Sequence, residues 1–379
     1  MTSKVIKNAV VYTGDSVIEE GFVRFDKTVR EVGPMTSYQE VAGEEVVDAK
    51  GQKLVPGFID VHSHGGFGFD AMDADPVKLK KQVQGMLNEG ITTYFPTTMT
   101  QSSENIENAL KVIDEVAKDE PLIGGIHLEG PFVSPVFKGA QPEEYITAPD
   151  LELFKKWFKA SGERIKLVTY APEHSTSPAF EDLCIELGVV PSVGHSNAVR
   201  AELIHSKASH ATHMYNACRP LHHREPGVVG HVMLEPSIHA ELIVDGIHVH
   251  PDMIKLAYNV KGPKRVNIIT DAMRAKGMPD GDYELGGQKV FVKDRQARLE
   301  DGTLAGSVLT YDDAFRNMVK FTGCSIEDAV LMSSVNQAEE FKLDSKGGIA
   351  VDKDADFNLL NDALEIQATY SFGKKHSKQ

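Results

Sequence analysis

Cysteine, tryptophan and long apolar runs are all scarce in this chain of 379 residues, which holds three Cys and one Trp. Cys184, Cys218 and Cys324 are widely separated, and none belongs to a CxxC or CxxH pattern. Buried thiols are therefore expected, rather than a disulfide scaffold or a thiolate metal site. No eighteen-residue apolar window exists to cross a membrane, and the opening Met1 to Asn8 lacks the apolar segment of a secretory signal. The expected compartment is the cytoplasm. Positive charge is also short: 40 Lys and Arg against 55 Asp and Glu leave a net charge of −15. No basic run is longer than pairs such as 80–81, 155–156 and 374–375, which leaves no nucleic-acid footprint. An anionic substrate would need a local cationic pocket. Hydrophobic residues make up 41%, with no excess of Gly or Pro, which excludes disorder and collagen-like repeats.

What is present is an alternation of short apolar runs with longer amphipathic ones. Before Pro56-Gly57 the runs Ala9–Tyr12, Ser16–Ile18, Gly21–Phe25 and Glu45–Asp48 alternate or are β-branched between Gly and charged turns, as in a small sheet. Beyond it, eight apolar runs fall near 57–62, 91–97, 122–128, 165–170, 189–194, 208–214, 238–244 and 265–270. Amphipathic stretches separate them, the pattern of parallel strands joined by crossover helices, and eight repeats close a barrel. In 104–117 the spacing of Ile106, Leu110, Ile113 and Val116 predicts a helix with one packing stripe. Pro149-Asp150 and Pro251-Asp252 supply start signals for two more.

The predicted fold is α/β: a (β/α)8 TIM-like barrel over 56–344, with a small β-sandwich domain formed by both termini, residues 1–55 and 345–379. Segments such as Asp356–Leu360 resume strand character, and neither end alone has enough strands to bury an apolar face. Residues 280–302 interrupt the rhythm and read as a hairpin beside the barrel mouth, placed where a lid could act. From Lys374 onward the chain reads as frayed.

Histidine is plentiful, 15 residues, and its placement carries the chemistry. His62 and His64 are one residue apart on extended backbone, so their rings point the same way and can grip one ion. Glu129 closes the third apolar run, His195 the fifth, His213 the sixth and Asp271 the eighth. Barrel active sites form at those carboxyl ends. Any one of these histidines, taken alone, is more often a hydrogen-bonded structural residue than a ligand. A cluster of imidazoles and carboxylates converging on one mouth would be costly without a cation. His127 shares the parity of Glu129 and can stand behind it, whereas His205 and His210 read as helix-surface or packing residues. A divalent cation lowers the pKa of a water it holds and polarises a carbonyl, chemistry that favours hydrolysis. Asp271 can carry protons between that water and a departing nitrogen, or act simply as a ligand or helix cap.

The segments Pro56–Gly65, His127–Phe132, Val193–Ser196, Thr212–Ala217, Val244–His248, Thr270–Met273 and Leu304–Ser307 resemble those of the N-acetylglucosamine-6-phosphate deacetylases of the amidohydrolase superfamily. The likeness runs from the first sheet to Phe357. It implies that Glu129, His195 and His213 hold the main metal and that Asp271 transfers the proton. It also implies that His62 and His64 allow a second ion, giving one or two divalent ions per subunit drawn from Zn, Fe, Mn or Co. The backbone around Asn216 and Ala217, with Arg224, would bind the phosphate of N-acetylglucosamine 6-phosphate, and Arg224 can enter from a neighbouring subunit of a homodimer. His248 would orient the reacting amide, and His250 is the weaker choice. At Gln141 some relatives carry His, and Gln can still bond a sugar hydroxyl or the phosphate. Deacetylation of a related N-acetylated sugar phosphate, or a non-catalytic sugar-phosphate-binding barrel, are the alternatives.

Overall fold

The eight apolar runs become eight parallel strands in a computed structural model, which describes residues 3–376. We number them β1 (Phe58–Ser63), β2 (Ile91–Thr98), β3 (Ile126–Glu129), β4 (Ile165–Tyr170), β5 (Val190–Val193), β6 (His210–Ala211), β7 (His239–Ile243) and β8 (Val266–Ile269). Each pairs with the next in chain order. The ring is drawn together between β8 and β1, where Asp271 N–H donates to His62 O at 2.8 Å and His64 N–H to Ala272 O at 2.9 Å. Beneath that seam the Tyr311 hydroxyl lies 3.1 Å from Ile59 O and 2.9 Å from Ile268 O, sharing its single proton between the first and last strands.

Two strands are shorter than expected by three residues or more. β3 begins at Ile126 rather than 122, and the reason lies in Gly124-Gly125. A Cβ at Gly124 would approach Thr93 Cγ2 to 2.6 Å, and one at Gly125 would approach Lys166 Cγ to 2.6 Å, so the chain crosses its neighbours closely here and residues 122–124 join β2 only through an isolated bridge of Ile123 with Tyr94. β6 keeps only two residues because the backbone turns after Ala211, reaching a positive φ of 30° at His213.

The helices follow their stripes. Ser103–Ala117 buries Ile106, Leu110, Ile113 and Val116, and the Ser102 hydroxyl accepts from Asn105 N–H as its cap. Asp150 caps Leu151–Ala160 in the same way, and the His250 imidazole caps Pro251–Lys261. Each fully buried aliphatic side chain along such a stripe contributes about 1.5–3 kcal/mol. Phe58 stacks on Tyr311 and Phe315 of helix Tyr311–Thr322, which closes the floor of the barrel.

Both ends of the chain meet in a second sheet. Its hydrogen-bonded path runs Lys374–His376, Ile366–Ser371, Phe357–Leu360, Lys53–Pro56, Lys4–Tyr12, Val17–Phe25 and Val29–Pro34, with Glu45–Asp48 pairing Lys4–Tyr12. Lys53–Pro56 and Phe357–Leu360 run antiparallel, Asn358 opposite Val55. Ile6, Val23, Phe25, Leu54, Phe357 and Tyr370 form the buried core of this sheet. Lys374–His376 is a strand, not the frayed end expected, because Gly373 turns it back onto Ile366–Ser371. Residues 377–379 lie outside the described residues.

The expected hairpin is a three-stranded sheet, Gly281–Leu285, Gln288–Lys293 and Gln296–Arg298. It is seated on the mouth by a small core of Met99, Met273, Leu285, Val290 and Val292. Among the described residues, no helix is long and apolar enough to cross a membrane.

Candidate metal centre at the barrel mouth

Six side chains from five strand ends converge above the barrel. His62 and His64 lie at the end of β1, Glu129 ends β3, and His195, His213 and Asp271 follow β5, β6 and β8. Glu129 is the hub. Its Oε1 lies 3.1 Å from His213 Nε2, 3.2 Å from His195 Nε2 and 3.5 Å from His62 Nε2, while Oε2 lies 3.1 Å from His64 Nε2. Asp271 Oδ1 stands 3.4 Å from both His62 Nε2 and His64 Nε2. His195, His213 and Asp271 have positive φ, 46°, 30° and 47°. Left-handed backbone at non-glycine residues is costly, and here it recurs where a strand must release a side chain toward the mouth.

Ring orientation shows what the cluster can hold. His64 Nδ1 lies 3.2 Å from Thr97 O, His195 Nδ1 lies 3.0 Å from Phe137 O, and His62 Nδ1 lies 2.8 Å from a Glu241 oxygen. Those partners are acceptors only, so each ring donates its proton away from the mouth and turns an Nε2 lone pair toward Glu129 or Asp271. His62 Nε2 has no hydrogen-bond partner. Lone pairs aimed at carboxylates repel unless a cation lies between them, so the donor set fits a divalent metal. Three groups have ligand atoms mutually within 4.8 Å: Glu129, His195 and His213, and His62, His64 and Asp271 at the mouth, and His62, His127 and Glu241 behind it. Burial opposes charge on His64, but Asp271 and Glu129 outweigh it and push this imidazole up to about 10. Burial likewise opposes charge on Asp271, and His62 and His64 nevertheless hold its carboxyl below the usual range. The field that favours a proton there favours a metal cation.

The mouth opens into a chamber of 190 Å³, lined in part by Gln141, Asn216, Ala217, His248, Leu285 and Leu304. His248 donates through Nδ1 to Asp245 Oδ2 at 2.6 Å, and the same carboxylate caps the backbone N–H groups of Ile247 and His248. Gln141 lines the chamber, but both ends of its amide are engaged. Thr100 N–H donates to its Oε1 at 2.9 Å, which fixes the orientation of the amide, and its Nε2 donates to Glu129 Oε2 at 2.8 Å. Arg224 is exposed, bonded to His223 at 2.7 Å, and does not line the chamber of its own chain.

Other histidines depart from expectation. His205 is exposed just after helix Arg200–Leu203, whereas His210 is a buried strand residue between Glu241 and Glu340. It is therefore neither surface nor simple packing, because carboxylates face both its nitrogens. His127 lies behind the mouth, its ring centroid 4.4 Å from that of His62 and its Nε2 on the Thr169 hydroxyl. Sequence reasoning passed over Glu241 and Asp245. The available signal for Glu241 was a carboxylate inside the apolar run His239–Val244, which is costly to bury unpaired.

Known proteins resemble this chain over nearly its whole length. The model of the amidohydrolase family covers residues 54–377. The N-acetylglucosamine-6-phosphate deacetylase of Lysinibacillus sphaericus is 43% identical over 349 residues, 90% of each chain. That of Bacillus subtilis (strain 168) is 42% identical over 385 residues, 98% of this chain and 96% of the relative. A solved structure of a mutant N-acetyl-D-glucosamine-6-phosphate deacetylase from Mycobacterium smegmatis, in complex with N-acetyl-D-glucosamine-6-phosphate, superposes with a TM-score of 0.93 at 30% identity, covering 99% of both chains. The chain belongs to the amidohydrolase family, within the group of the N-acetylglucosamine-6-phosphate deacetylases.

Proposed function

We propose that this protein hydrolyses N-acetyl-D-glucosamine 6-phosphate to D-glucosamine 6-phosphate and acetate. The carrying observation is the convergence of four imidazole Nε2 atoms on the Glu129 and Asp271 carboxylates, in a chain akin to deacetylases over nearly its whole length. Glu129, His195 and His213 would hold the main ion, and His62, His64 and Asp271 a second, with Zn, Fe, Mn or Co suited to these ligands. A divalent cation there supplies Lewis acidity and acidifies water.

The remaining work falls to the chain itself. Asp271, held ionised, takes the proton of the attacking water and returns it to the departing sugar nitrogen, because an unprotonated amine anion is a very poor leaving group. His248, steadied through Nδ1 by Asp245, turns its other nitrogen to the chamber and orients the acetamide. Asn216 and Ala217 lie at the turn after β6, where φ is 44° at Ala217, and their backbone places the phosphate. Anchoring the phosphate fixes the amide relative to Asp271, which converts binding into orientation.

Arg224 is assigned to the phosphate of a neighbouring subunit in a homodimer. Its exposure, away from its own chamber, supports that placement, and so does Leu221, 51% exposed on the same loop. The three cysteines are unpaired, which supports residence in the reducing cytoplasm.

An acetate-release assay on N-acetylglucosamine 6-phosphate, after chelation and separate metal add-back with metal counting, tests the assignment. Acetate release restored by one or two ions per chain is expected. No release with any added metal overturns it. Arg224→Lys should lose discrimination against unphosphorylated N-acetylglucosamine, because an ammonium cannot reproduce the guanidinium fork. Unchanged selectivity, or a preference for another N-acetylated sugar phosphate, refutes the substrate assignment.

A further inference from the structure

Directly below the mouth, the barrel interior carries charge where branched aliphatic side chains ordinarily pack. Glu241, on β7, is fully buried and receives three hydrogen bonds. His62 Nδ1 reaches its Oε2 at 2.8 Å, the backbone N–H of His213 reaches the same oxygen at 3.0 Å, and His210 Nε2 reaches Oε1 at 3.1 Å. His210 is held at its other nitrogen by Glu340 Oε1 at 2.8 Å, and Asn267 donates to Glu340 Oε2 at 2.9 Å. A chain of buried hydrogen bonds therefore runs from His62 through Glu241 and His210 to Glu340, on the short helix Asn336–Glu340.

We propose that Glu241, backed by His210 and Glu340, is a positioning residue that presets two metal-binding side chains at once. By accepting from His62 Nδ1 it keeps the proton on that nitrogen and leaves the Nε2 lone pair facing Glu129 and Asp271. By accepting from the backbone of His213 it holds the residue at its strained φ of 30° and keeps its ring over Glu129. One carboxylate thus couples β1 to β6 across the barrel. His210 stabilises that carboxylate: with an acceptor at each nitrogen its ring donates from both, as an imidazolium does, and its positive charge lies between two buried acids. Without a cation there, Glu241 and Glu340 would be buried acids lacking a common partner. Gln at 241 offers one acceptor oxygen and sets an NH2 against a donor, so it cannot satisfy His62, His213 and His210 together.

The inference rests on the metal-dependent reading of the mouth, and its test separates the two. Zn2+ affinity of the whole protein is measured by chelator competition, and the tautomer of His62 by 15N NMR of histidine-labelled protein, metal-free and Zn2+-loaded. His62 is expected to carry its proton on Nδ1 in both states. Glu241→Gln is expected to weaken Zn2+ binding by roughly 10–100-fold and to lower kcat by a similar factor, with KM within about twofold of wild type. Wild-type affinity in Glu241→Gln overturns the proposal while leaving the metal reading intact. So does a Zn2+-loaded His62 that is protonated at Nε2 or metallated at Nδ1, which wild-type spectra decide even if the variant fails to fold. A wild-type protein that takes up no divalent metal overturns both.

Discussion

Replacing Gln141 by Leu distinguishes a side chain that serves the substrate from one that serves a metal ligand. In the structure the amide bridges Thr100 N–H and Glu129 Oε2, at 2.9 and 2.8 Å, and is 3% exposed. Leu would leave the buried Thr100 N–H without an acceptor, at about 1–3 kcal/mol. It would also remove a charge-assisted bond from Glu129, worth about 1.5–3 kcal/mol. The two losses together predict roughly 2.5–6 kcal/mol of destabilisation, a fall in Tm of about 3–8 °C in a chain of this length. Glu129 would be free to rotate away from His64, so metal affinity should fall by about tenfold or more. KM for the sugar phosphate should barely move once metal is saturating, because each end of the amide already holds a partner within the protein. Thermal unfolding, chelator competition and acetate-release kinetics give the three readouts. A tenfold rise in KM, with Tm and metal affinity unchanged, would show that Gln141 contacts the sugar and refute this reasoning.

Three further outcomes follow from the same geometry. Asp271→Asn removes the proton carrier and should lower kcat by about 10²–10⁴-fold, while equilibrium binding of the substrate survives; a kcat within tenfold of wild type would place the base elsewhere. Saturation at 100 times Kd should stabilise the protein by about 2.7 kcal/mol over the chelated form, seen as a metal-dependent Tm, and a Tm indifferent to metal contradicts the site. Lys276→Met strands Glu89, whose Oε1 lies 2.7 Å from the lysine in a fully buried pair, and should cost roughly 3–5 kcal/mol. Burial lifts the Glu89 carboxyl to about 7 despite the pull of Lys276, and losing the lysine lifts it further. A raised carboxyl favours the fold below its unfolded value of 4.5, and that advantage fades as pH climbs through the folded value. The deficit of Lys276→Met should therefore be larger at pH 8 than at pH 5 in denaturant unfolding, and a pH-independent deficit would count against the pairing.

Much of the barrel is legible because a parallel strand covered on both faces is a compact apolar run, so β1, β2, β4 and β7 fall within a residue or two of the runs that predict them. The strand-end histidines are legible for a related reason: closing the ring carries residues far apart in sequence to one rim. Glu241 escapes that logic. In His239-Ala240-Glu241-Leu242-Ile243 its alternation looks like an ordinary strand with one polar face, and only the barrel's charged interior shows why an acid belongs there. His210 is misread for the same reason, since its two carboxylate partners come from β7 and from a helix about 130 residues onward. Val29–Pro34 and Lys53–Pro56 are short and carry Gly or Pro; the first is held by the adjoining hairpin strand Val17–Phe25, whereas the second owes its strand character to Lys4–Tyr12 and Phe357–Leu360, which a local window does not contain.

The sheet joining both ends of the chain has a consequence for biosynthesis. Lys53–Pro56 has Lys4–Tyr12 on one side early, but its other neighbour arrives only when Phe357–Leu360 has left the ribosome, about 300 residues and roughly 15–60 s later at ordinary elongation rates. Until then one margin of the nascent amino-terminal strands stays open, with Leu54 and Val55 uncovered beside it. The young polypeptide is thus most vulnerable to mispairing during translation of its own barrel, and a stall anywhere in that stretch would prolong the exposure.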